Sequence, residues 1–322
     1  MSILSKAYFH DEAAAFAHIE SVLWPHGTVC PHCGTVGSSY KLEGVRSKPS
    51  KKNPQGKERH GLYKCRSKEC RKQFTVRKGT IFEESHLPMT KWLQAIYLMV
   101  SSKKGFSAHQ MHRVLEVQYK TAWFLCHRIR EAMRTGGDLD MFGGGGGDVQ
   151  VDETFIGTDP DANTNVKQRN YVQKMKVLTL VDRTTGQARS TVIEDLKVAT
   201  IKPIVDANIS REARILTDQA PRFKSIAADH ADHQSVNHAI DEYVRLGEPS
   251  VTTNHVENYF SVFKRGMKGV YQHCAKKHLH RYLAEYDFRY NHRSANGVED
   301  GERATFALRG VVGKRLTYRS SC

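Results

Sequence analysis

Two sets of side chains in this 322-residue chain have the types and spacing to do chemistry. The first is sulfur. CPHCG at 30–34 and YKCRSKECRKQF at 63–74 place two residues between Cys30 and Cys33, 31 residues before Cys65, and four between Cys65 and Cys70. Paired cysteines at knuckle spacing bring four thiolates to one tetrahedral Zn2+, the closed coordination of a structural site. The central gap is long for a zinc ribbon and the second knuckle is wide. Both are absorbed if GVRSKPSKKNPQGKERH (44–60) is an extended polar loop at a hairpin tip. Four buried free thiols, the alternative, fit poorly with the flanking Pro-His and Arg-Lys.

The second set is oxygen. VQVDETFIG (149–157) reads as a buried strand from Val149, Val151, Phe155 and Ile156, with Gly157 closing it, yet it carries Asp152 at its centre. Asp218 ends a second strand-like run, ARILTD. Two carboxylates brought together in a half-buried site repel unless a divalent cation bridges them, which is the requirement of two-metal phosphoryl transfer. TTNHVENYFSVFKRGMKG (252–269) supplies a third group. On a helix, Glu257, Ser261 and Lys264 share one face, and Phe260 and Phe263 serve the other. A competing reading makes Asn254 the N-cap and Glu257 the N3 partner of a capping box on the surface. Glu153 points to the opposite strand face from Asp152, and Asp182, before the turn RTTG, reads as a turn residue. His230, His233 and His238 read as helix-end or DNA-contact residues rather than a second metal site.

These groups need elements to hold them. Trp92, Leu93, Ile96, Tyr97 and Val100 predict a helix of about four turns. FSAHQMHRVLEVQYKTAWFLCHRIREAM (106–133) predicts two more. Ser107 caps the first, with Met111, Val114 and Leu115 inward; after a turn at EVQYK, the second runs from Thr121 with Trp123, Phe124, Ile129 and Met133 inward and Lys120, His127, Arg128, Arg130 and Arg134 outward. Such pairs occur in any bundle, but the basic outer face favours a DNA-reading helix-turn-helix. GGDLDMFGGGGGD (136–148) is a glycine-rich linker without GK[ST], so it is no phosphate loop. Strands follow at 149–157, 175–182 and 188–195, then a helix at 198–209 and a strand at 213–218. Leu279, Tyr282, Leu283, Tyr286 and Tyr290 form a helical core stripe, with His278, His280, Arg281 and Arg289 placed to meet phosphates. The class is therefore α/β, in four parts: 1–86 with the zinc ribbon, 87–135 helical, 136–148 linker, 149–322 the mixed-sheet domain. Three strands, a helix and a strand ending in aspartate is the order of a ribonuclease H-like sheet, though other mixed folds share it.

The formal charge of +15 points to a polyanion. Between Lys41 and Lys78 stand fourteen Lys or Arg against three acids, so eleven of those fifteen charges lie in 38 residues. A segment this dense neutralises phosphates and releases counterions. Lys51, Lys52, Arg71 and Lys72 within it, Lys120, Arg128 and Arg130 on the helices, and Lys264 and Arg265 beyond are the candidate DNA contacts. Seven cysteines, an odd number, argue against a disulfide framework. The longest apolar run, LQAIYLMV, is far short of a bilayer span, and the expectation is a cytoplasmic protein.

CPHCG, YKCRSKECRKQFTVRKGTIF, LPMTKWLQAIYLM, SAHQMHRVLEVQYKTAWFLCHRIREAM, VQVDETFIG, ILTDQ, HVENYFSVFKRGMKGVYQH and KKHLHRYLAEYDFRYNHR, in this order from about residue 15 to 318, resemble an ISXO-like transposase of the insertion sequence 1595 family. The resemblance implies a zinc ribbon, a helix-turn-helix and a ribonuclease H-like DDE domain. It implies that Asp152 and Asp218 are the first two catalytic acids, with Glu257 or Asn254 third (Asn258 is a weaker fit), followed by Lys264. It further implies Mg2+ or Mn2+ on Asp152, Asp218 and Glu257, cleavage and joining of the ends of a mobile element in double-stranded DNA, and at least a homodimer to pair two ends. No tyrosine or serine nucleophile is required. A non-catalytic zinc-ribbon DNA-binding regulator and a structure-specific metal nuclease are the rival functions.

Overall fold

A computed structural model describes residues 2–51, 53–134, 140–162, 173–237, 244–245 and 248–316. The chain divides into two compact units: Met1–Ser102 with Phe106–Met133 and Glu299–Cys322, and Lys103–Gly105 with Arg134–Val298.

In the first unit, Asp11 accepts from the Ala14 N–H at 2.7 Å and so starts α1 (Glu12–Leu23), which buries Phe16 and Ile19. An antiparallel sheet of β1 (Ser39–Lys41), β2 (Tyr63–Cys65) and β3 (Gln73–Phe74) follows. The segment between β1 and β2 continues as a hairpin arm, with bridges at Arg46–Glu58 and Ser50–Asn53. The apolar repeat around Trp92 forms α2 (Met89–Ser101). Ser107 caps α3 (Ala108–Leu115) by accepting from the Gln110 N–H at 3.1 Å, and Glu116, left-handed at φ 51°, ends it. Met111 and Leu115 are buried; Val114, expected inward, is 54% exposed.

The second helix of this pair, α4, spans Tyr119–Met133 and departs from expectation on its outer side. From Leu125 onward it is buried all round, because α2, α3 and the C-terminal helix Asp300–Arg309 pack against it. His127, Arg128 and Arg130 are therefore interior, not outward-facing. The Arg128 guanidinium donates to the Glu83 carbonyl at 2.7 Å and lies over the Phe124 ring. The C-terminal helix, assigned from sequence to the domain beginning at 149, belongs to this unit, where Arg303 donates to the Val100 carbonyl at 3.2 Å.

The second unit is built on a five-stranded mixed sheet. β4 (Asp148–Ile156), β5 (Met175–Asp182) and β6 (Ala188–Ile193) are antiparallel neighbours. After α5 (Val198–Asn208) comes β7 (Arg214–Asp218), parallel to β4, then α6 (Pro221–Ile226) and β8 (Asp232–Val236), parallel to β7. The order is β6-β5-β4-β7-β8. β9 (Val244–Arg245) and β10 (Glu248–Thr252) form a separate pair before α7 (Asn254–Gly266). A π-helical turn at Met267–Tyr271 joins α7 to α8 (Lys276–Asn291).

The period of β4 sorts its side chains between two cores. Val149 and Val151 join Leu178, Leu180, Ile201, Val205 and Phe223 beneath α5 and α6. Ile156, Val177 and Val181 join Tyr259, Phe260, Phe263, Leu279 and Tyr286 of α7 and α8. Asp152 belongs to this second face.

The described part of the glycine-rich run, from Asp140 on, packs into this unit. Phe142 is buried in the α5 core, and its N–H donates to the Asn208 carbonyl at 2.8 Å. Gly143 has φ +70°, and a Cβ there would lie 2.4 Å from the Ala213 Cβ and 2.8 Å from Val149 Cγ2. Gly143→Ala should cost about 1–3 kcal/mol, read as a lower urea midpoint. Gly145→Ala meets no atom within 4 Å but shares the left-handed φ, so it should cost less. Equal midpoints for the two variants would contradict the close approach.

Candidate functional site

The four cysteines converge. All four sulfurs lie within 4.8 Å of one another, with Cys30–Cys70 and Cys33–Cys65 each at 3.7 Å. A tetrahedron with metal–sulfur arms of about 2.3 Å has edges of about 3.8 Å, so these residues fit one zinc-sized cation. Little else holds this region together: Cys30, Cys65 and Phe74 are its buried core, with Trp24, Tyr63 and Cys70 packed on them. The Trp24 ring meets Tyr63 and Phe74 edge-on at 5.4 and 5.9 Å. So small an apolar cluster needs a staple, and the sulfur set supplies one. Lys51, Arg71 and Lys72 are exposed near it in sequence, and Lys52 lies outside the described residues.

The oxygen set is built on β4. The parallel ladder pairs Val149 with Ile215 and Gln150 with Leu216 and ends there. Extending that register opposes Asp152 to Asp218 on adjacent strands and the same face, just beyond the last ladder bond. In mixed sheets such a crevice at strand ends receives ligands. Burial pushes the Asp152 carboxyl up to about 8, and the charges of Glu153, Asp218 and Glu257 push in the same direction. The Glu153 N–H, donating to Asp152 Oδ1 at 2.8 Å, opposes them only in part. Among the described residues, Asp152, Asp218 and Glu257 do not form a group as tight as the four sulfurs.

Glu257 sits in the first turn of α7 and accepts from Thr253 Oγ1 at 2.7 Å. Asn254 is not the N-cap expected from sequence. It is the first helical residue, with an exposed side chain, and Thr253 precedes the helix. The reason is that other groups already satisfy the helix N-terminus. Thr252 Oγ1 accepts from the Asn254 N–H at 3.1 Å, the Gln150 side chain accepts from the His255 and Val256 N–H groups at 3.0 Å each, and the Thr253 carbonyl accepts from the Glu257 N–H at 3.1 Å. Lys264, two turns on, is half-buried. Burial lowers its pKa, as do the charges of Lys268 and Lys174, while the nearby Asp152 raises it. Arg265 is exposed and donates to the Ser261 hydroxyl at 2.9 Å.

Other acids have structural partners. Glu153, on the α6 side, pairs with Arg222, and burial still raises its pKa. Asp182 accepts from the Thr184 and Thr185 N–H groups at 2.7 and 3.2 Å, as a turn residue should. Beside Asp152 in register, Thr179 meets Ser190 at 3.0 Å, and Ser190 donates to Asp287, which also accepts from the Tyr259 hydroxyl at 2.6 Å. Burial pushes Asp287 up to about 6. Arg289, expected to meet phosphates, is interior and pairs with Glu285 at 3.2 Å. His233, expected at a helix end, lies in β8, with Nε2 2.9 Å from Thr217 Oγ1; His238 is outside the described residues. Sequence reasoning missed Gln150, Thr253, Lys174 and Lys268. The polar alternation Asp148, Gln150, Asp152 in an otherwise apolar strand was the available signal for the first of these.

Comparison with known proteins defines the class. Residues 10–73 match the transposase zinc-ribbon domain and residues 145–291 the ISXO2-like transposase domain. The chain thus belongs among the ISXO2-like transposases of the insertion sequence 1595 family, with their zinc ribbon preceding a mixed-sheet domain. It is 23% identical over 299 residues, covering 87% of this chain and 91% of the other, to an uncharacterized protein in transposable element ISH50 of Halobacterium salinarum. Among solved structures, a chain of the simian T-cell lymphotropic virus intasome in complex with PP2A regulatory subunit B56 gamma aligns at 12% identity, over 55% of this chain and 67% of that one, with a TM-score of 0.27. Among the described residues no helix is long and apolar enough to cross a membrane.

Two predictions follow from the site. Metal analysis of purified protein should give one zinc per chain, and Cys65→Ser should lose it; full zinc occupancy in that variant would exclude the four-sulfur set as the ligand. The second concerns pH. An unfolded aspartate titrates near about 4, and the folded Asp152 at about 8, so the metal-free folded state binds more protons between these values. Its stability should therefore fall as pH rises through that window. Asp152→Asn should remove the fall, giving a higher urea midpoint than wild type above pH 8; parallel pH profiles for the two proteins would refute it.

Proposed function

We propose that this protein binds the ends of its own insertion sequence and catalyses divalent-metal-dependent DNA cleavage and 3′-OH strand transfer. The observation that supports the reading is the β4–β7 register, which extended by two residues opposes Asp152 to Asp218, together with the charges of Asp218 and Glu257 acting on the buried Asp152 carboxyl near Lys264. A fold gains nothing from such repulsion, whereas a cation offsets it. A ribonuclease H-like architecture for the 149–298 region is supported by three antiparallel strands leading into two parallel ones, with helices on both faces.

Asp152, Asp218 and Glu257 would hold Mg2+ or Mn2+, hard cations suited to carboxylate oxygen, which supply charge stabilisation for in-line phosphoryl transfer when bound. Glu257 is the better third residue than Asn254, because its charge reaches Asp152 and its side chain is held by Thr253, whereas Asn254 points to solvent. Lys264 would bind a non-bridging phosphate oxygen of the strand being cut. In the first step water attacks the phosphorus and displaces the 3′ oxygen at each element end, leaving a 5′ phosphate on the flank; in the second the freed 3′-OH attacks a phosphodiester of target DNA and displaces the target's 3′ oxygen, which leaves as a 3′-OH. The hairpin arm with Lys51, the ribbon residues Arg71 and Lys72, and Lys120 would hold the double-stranded terminal repeats. Arg128 and Arg130, being interior, would not. Pairing two ends calls for at least a dimer, and the setting is the bacterial cytoplasm.

A marker flanked by the DNA that natively borders the gene should move in cells with wild type. It should move roughly a hundredfold less, or not at all, with Asp152→Asn, Asp218→Asn or Glu257→Gln, while those variants keep binding the flanks. Asn254→Ala should move the marker at close to the wild-type frequency. Persistent transfer with Asp218→Asn would sink the DDE assignment. Binding without movement by wild type would favour a DNA-binding regulator, and cleavage without joining a nuclease.

A further inference from the structure

The α7-facing side of β4 carries three polar residues in alternation, and the first two hold the chain segment that delivers the third acid. Asp148 accepts from Arg214 Nε and one of its terminal nitrogens at 2.7 and 2.9 Å, and from Arg183 at 3.0 Å. Both arginines also reach β10: Arg214 donates to the Ser250 hydroxyl at 3.1 Å and Arg183 to the Ser250 carbonyl. Gln150, fully buried, grips the next stretch. Its Nε2 donates to the Thr252 carbonyl at 2.5 Å, and its Oε1 accepts from both the His255 and Val256 N–H groups. One side chain thus ties down three backbone groups between Thr252 and Val256, from the end of β10 to the start of α7.

We infer that Gln150 is a positioning residue: it fixes the start of α7, and with it the Glu257 carboxylate, at a set height above Asp152. The claim rests on the reading of Asp152, Asp218 and Glu257 as cation ligands. Gln150 and Asp152 are two residues apart on one strand face, so they rise and fall together. Glu257 is one residue beyond the second amide that Gln150 holds, and its own N–H is bonded to Thr253, inside the gripped segment. The distance from Asp152 to Glu257 is then set by one buried side chain rather than by the long connection through β9 and β10. With Thr252 Oγ1 on the Asn254 N–H and the Thr253 carbonyl on the Glu257 N–H, these two bonds complete the partners of the first four amides of α7, so that terminus is closed to a phosphate. Residues that orient metal ligands without touching the metal typically change affinity tenfold to a hundredfold when removed.

The test uses the full, zinc-loaded chain and Mn2+ alone as the probe, with bound Mn2+ read from the loss of the free-ion electron paramagnetic resonance signal. The site is defined as the Mn2+ binding that Asp152→Asn removes. Gln150→Leu should weaken it by about tenfold to a hundredfold. Gln150→Asn, which keeps the amide but is one methylene too short, should weaken it as well, while Gln150→Glu, which keeps the acceptor for both N–H groups, should recover most of the loss. In parallel, hydrogen exchange at the His255 and Val256 amides should accelerate in the Leu and Asn variants and stay slow in the Glu variant. Ile201→Ala, a cavity in the core under α5, controls for loss of stability alone and should leave Mn2+ affinity unchanged. Wild-type Mn2+ affinity in Gln150→Leu, or unchanged exchange at both amides, would overturn the inference. If wild type shows no Mn2+ binding dependent on Asp152, the catalytic reading fails, and the amide exchange still decides whether Gln150 holds the helix.

Discussion

The sheet unit depends on how strand β4 handles charge while buried on both faces. Toward α5 and α6 it contributes Val149 and Val151 to an apolar core. Toward α7 it presents Asp148, Gln150 and Asp152, an alternation that a half-exposed strand would carry freely but a central strand must satisfy residue by residue. Asp148 meets two guanidinium groups, and Gln150 is bonded to three backbone groups. Asp152 receives one backbone N–H and the repulsion of its neighbours. On the proposed reading, that contrast is what separates a ligand position from a structural ion pair.

The ribbon solves a different problem with a different interaction. A sheet whose strands are three, three and two residues long cannot bury enough apolar surface to hold itself. Sulfur convergence replaces the missing core, and the three aromatic rings Trp24, Tyr63 and Phe74 pack on one another beside Cys30, Cys65 and Cys70, while Cys33 is exposed. With its base fixed in this way, the β1–β2 arm can extend as a narrow hairpin made almost wholly of polar and basic residues. Its hydrogen bonds between Val45 and Arg59 and between Ser47 and Lys57 keep it paired without any apolar face. A dense positive segment is thereby displayed on a defined backbone rather than left as a tail.

Much of this was legible in the sequence, and the failures share a cause. The cysteine spacing, the strand runs at 149–157, 175–182 and 213–218, and the amphipathic face of α7 are local patterns, and local patterns report local structure. Asp182 was legible because a turn is made by neighbours. What could not be read was whether the polar face of a helix meets solvent. Arg128 and Arg130 have the helical phase of an outer face, but a helix 170 residues later covers it, and nothing near 128 announces that partner. Arg289 is hidden likewise, by Glu285 one turn before it in a helix enclosed by its surroundings. The short strands β8, β9 and β10 fall in histidine-rich and polar sequence, where pairing with neighbours and not propensity makes the strand.

Asn254 and Glu257 show the same limit at the site itself. From sequence both the capping box and the ligand reading were available, because an asparagine before a helix is ordinarily its cap. The cap is instead a glutamine about a hundred residues earlier, on the strand that carries Asp152. Once a distant side chain takes over capping, Asn254 is freed from that duty. The Glu257 carboxylate accepts from the Thr253 hydroxyl at 2.7 Å. The capping arrangement therefore bears on the proposed chemistry: the strand that carries Asp152 also caps the helix that carries Glu257, whose charge acts on Asp152.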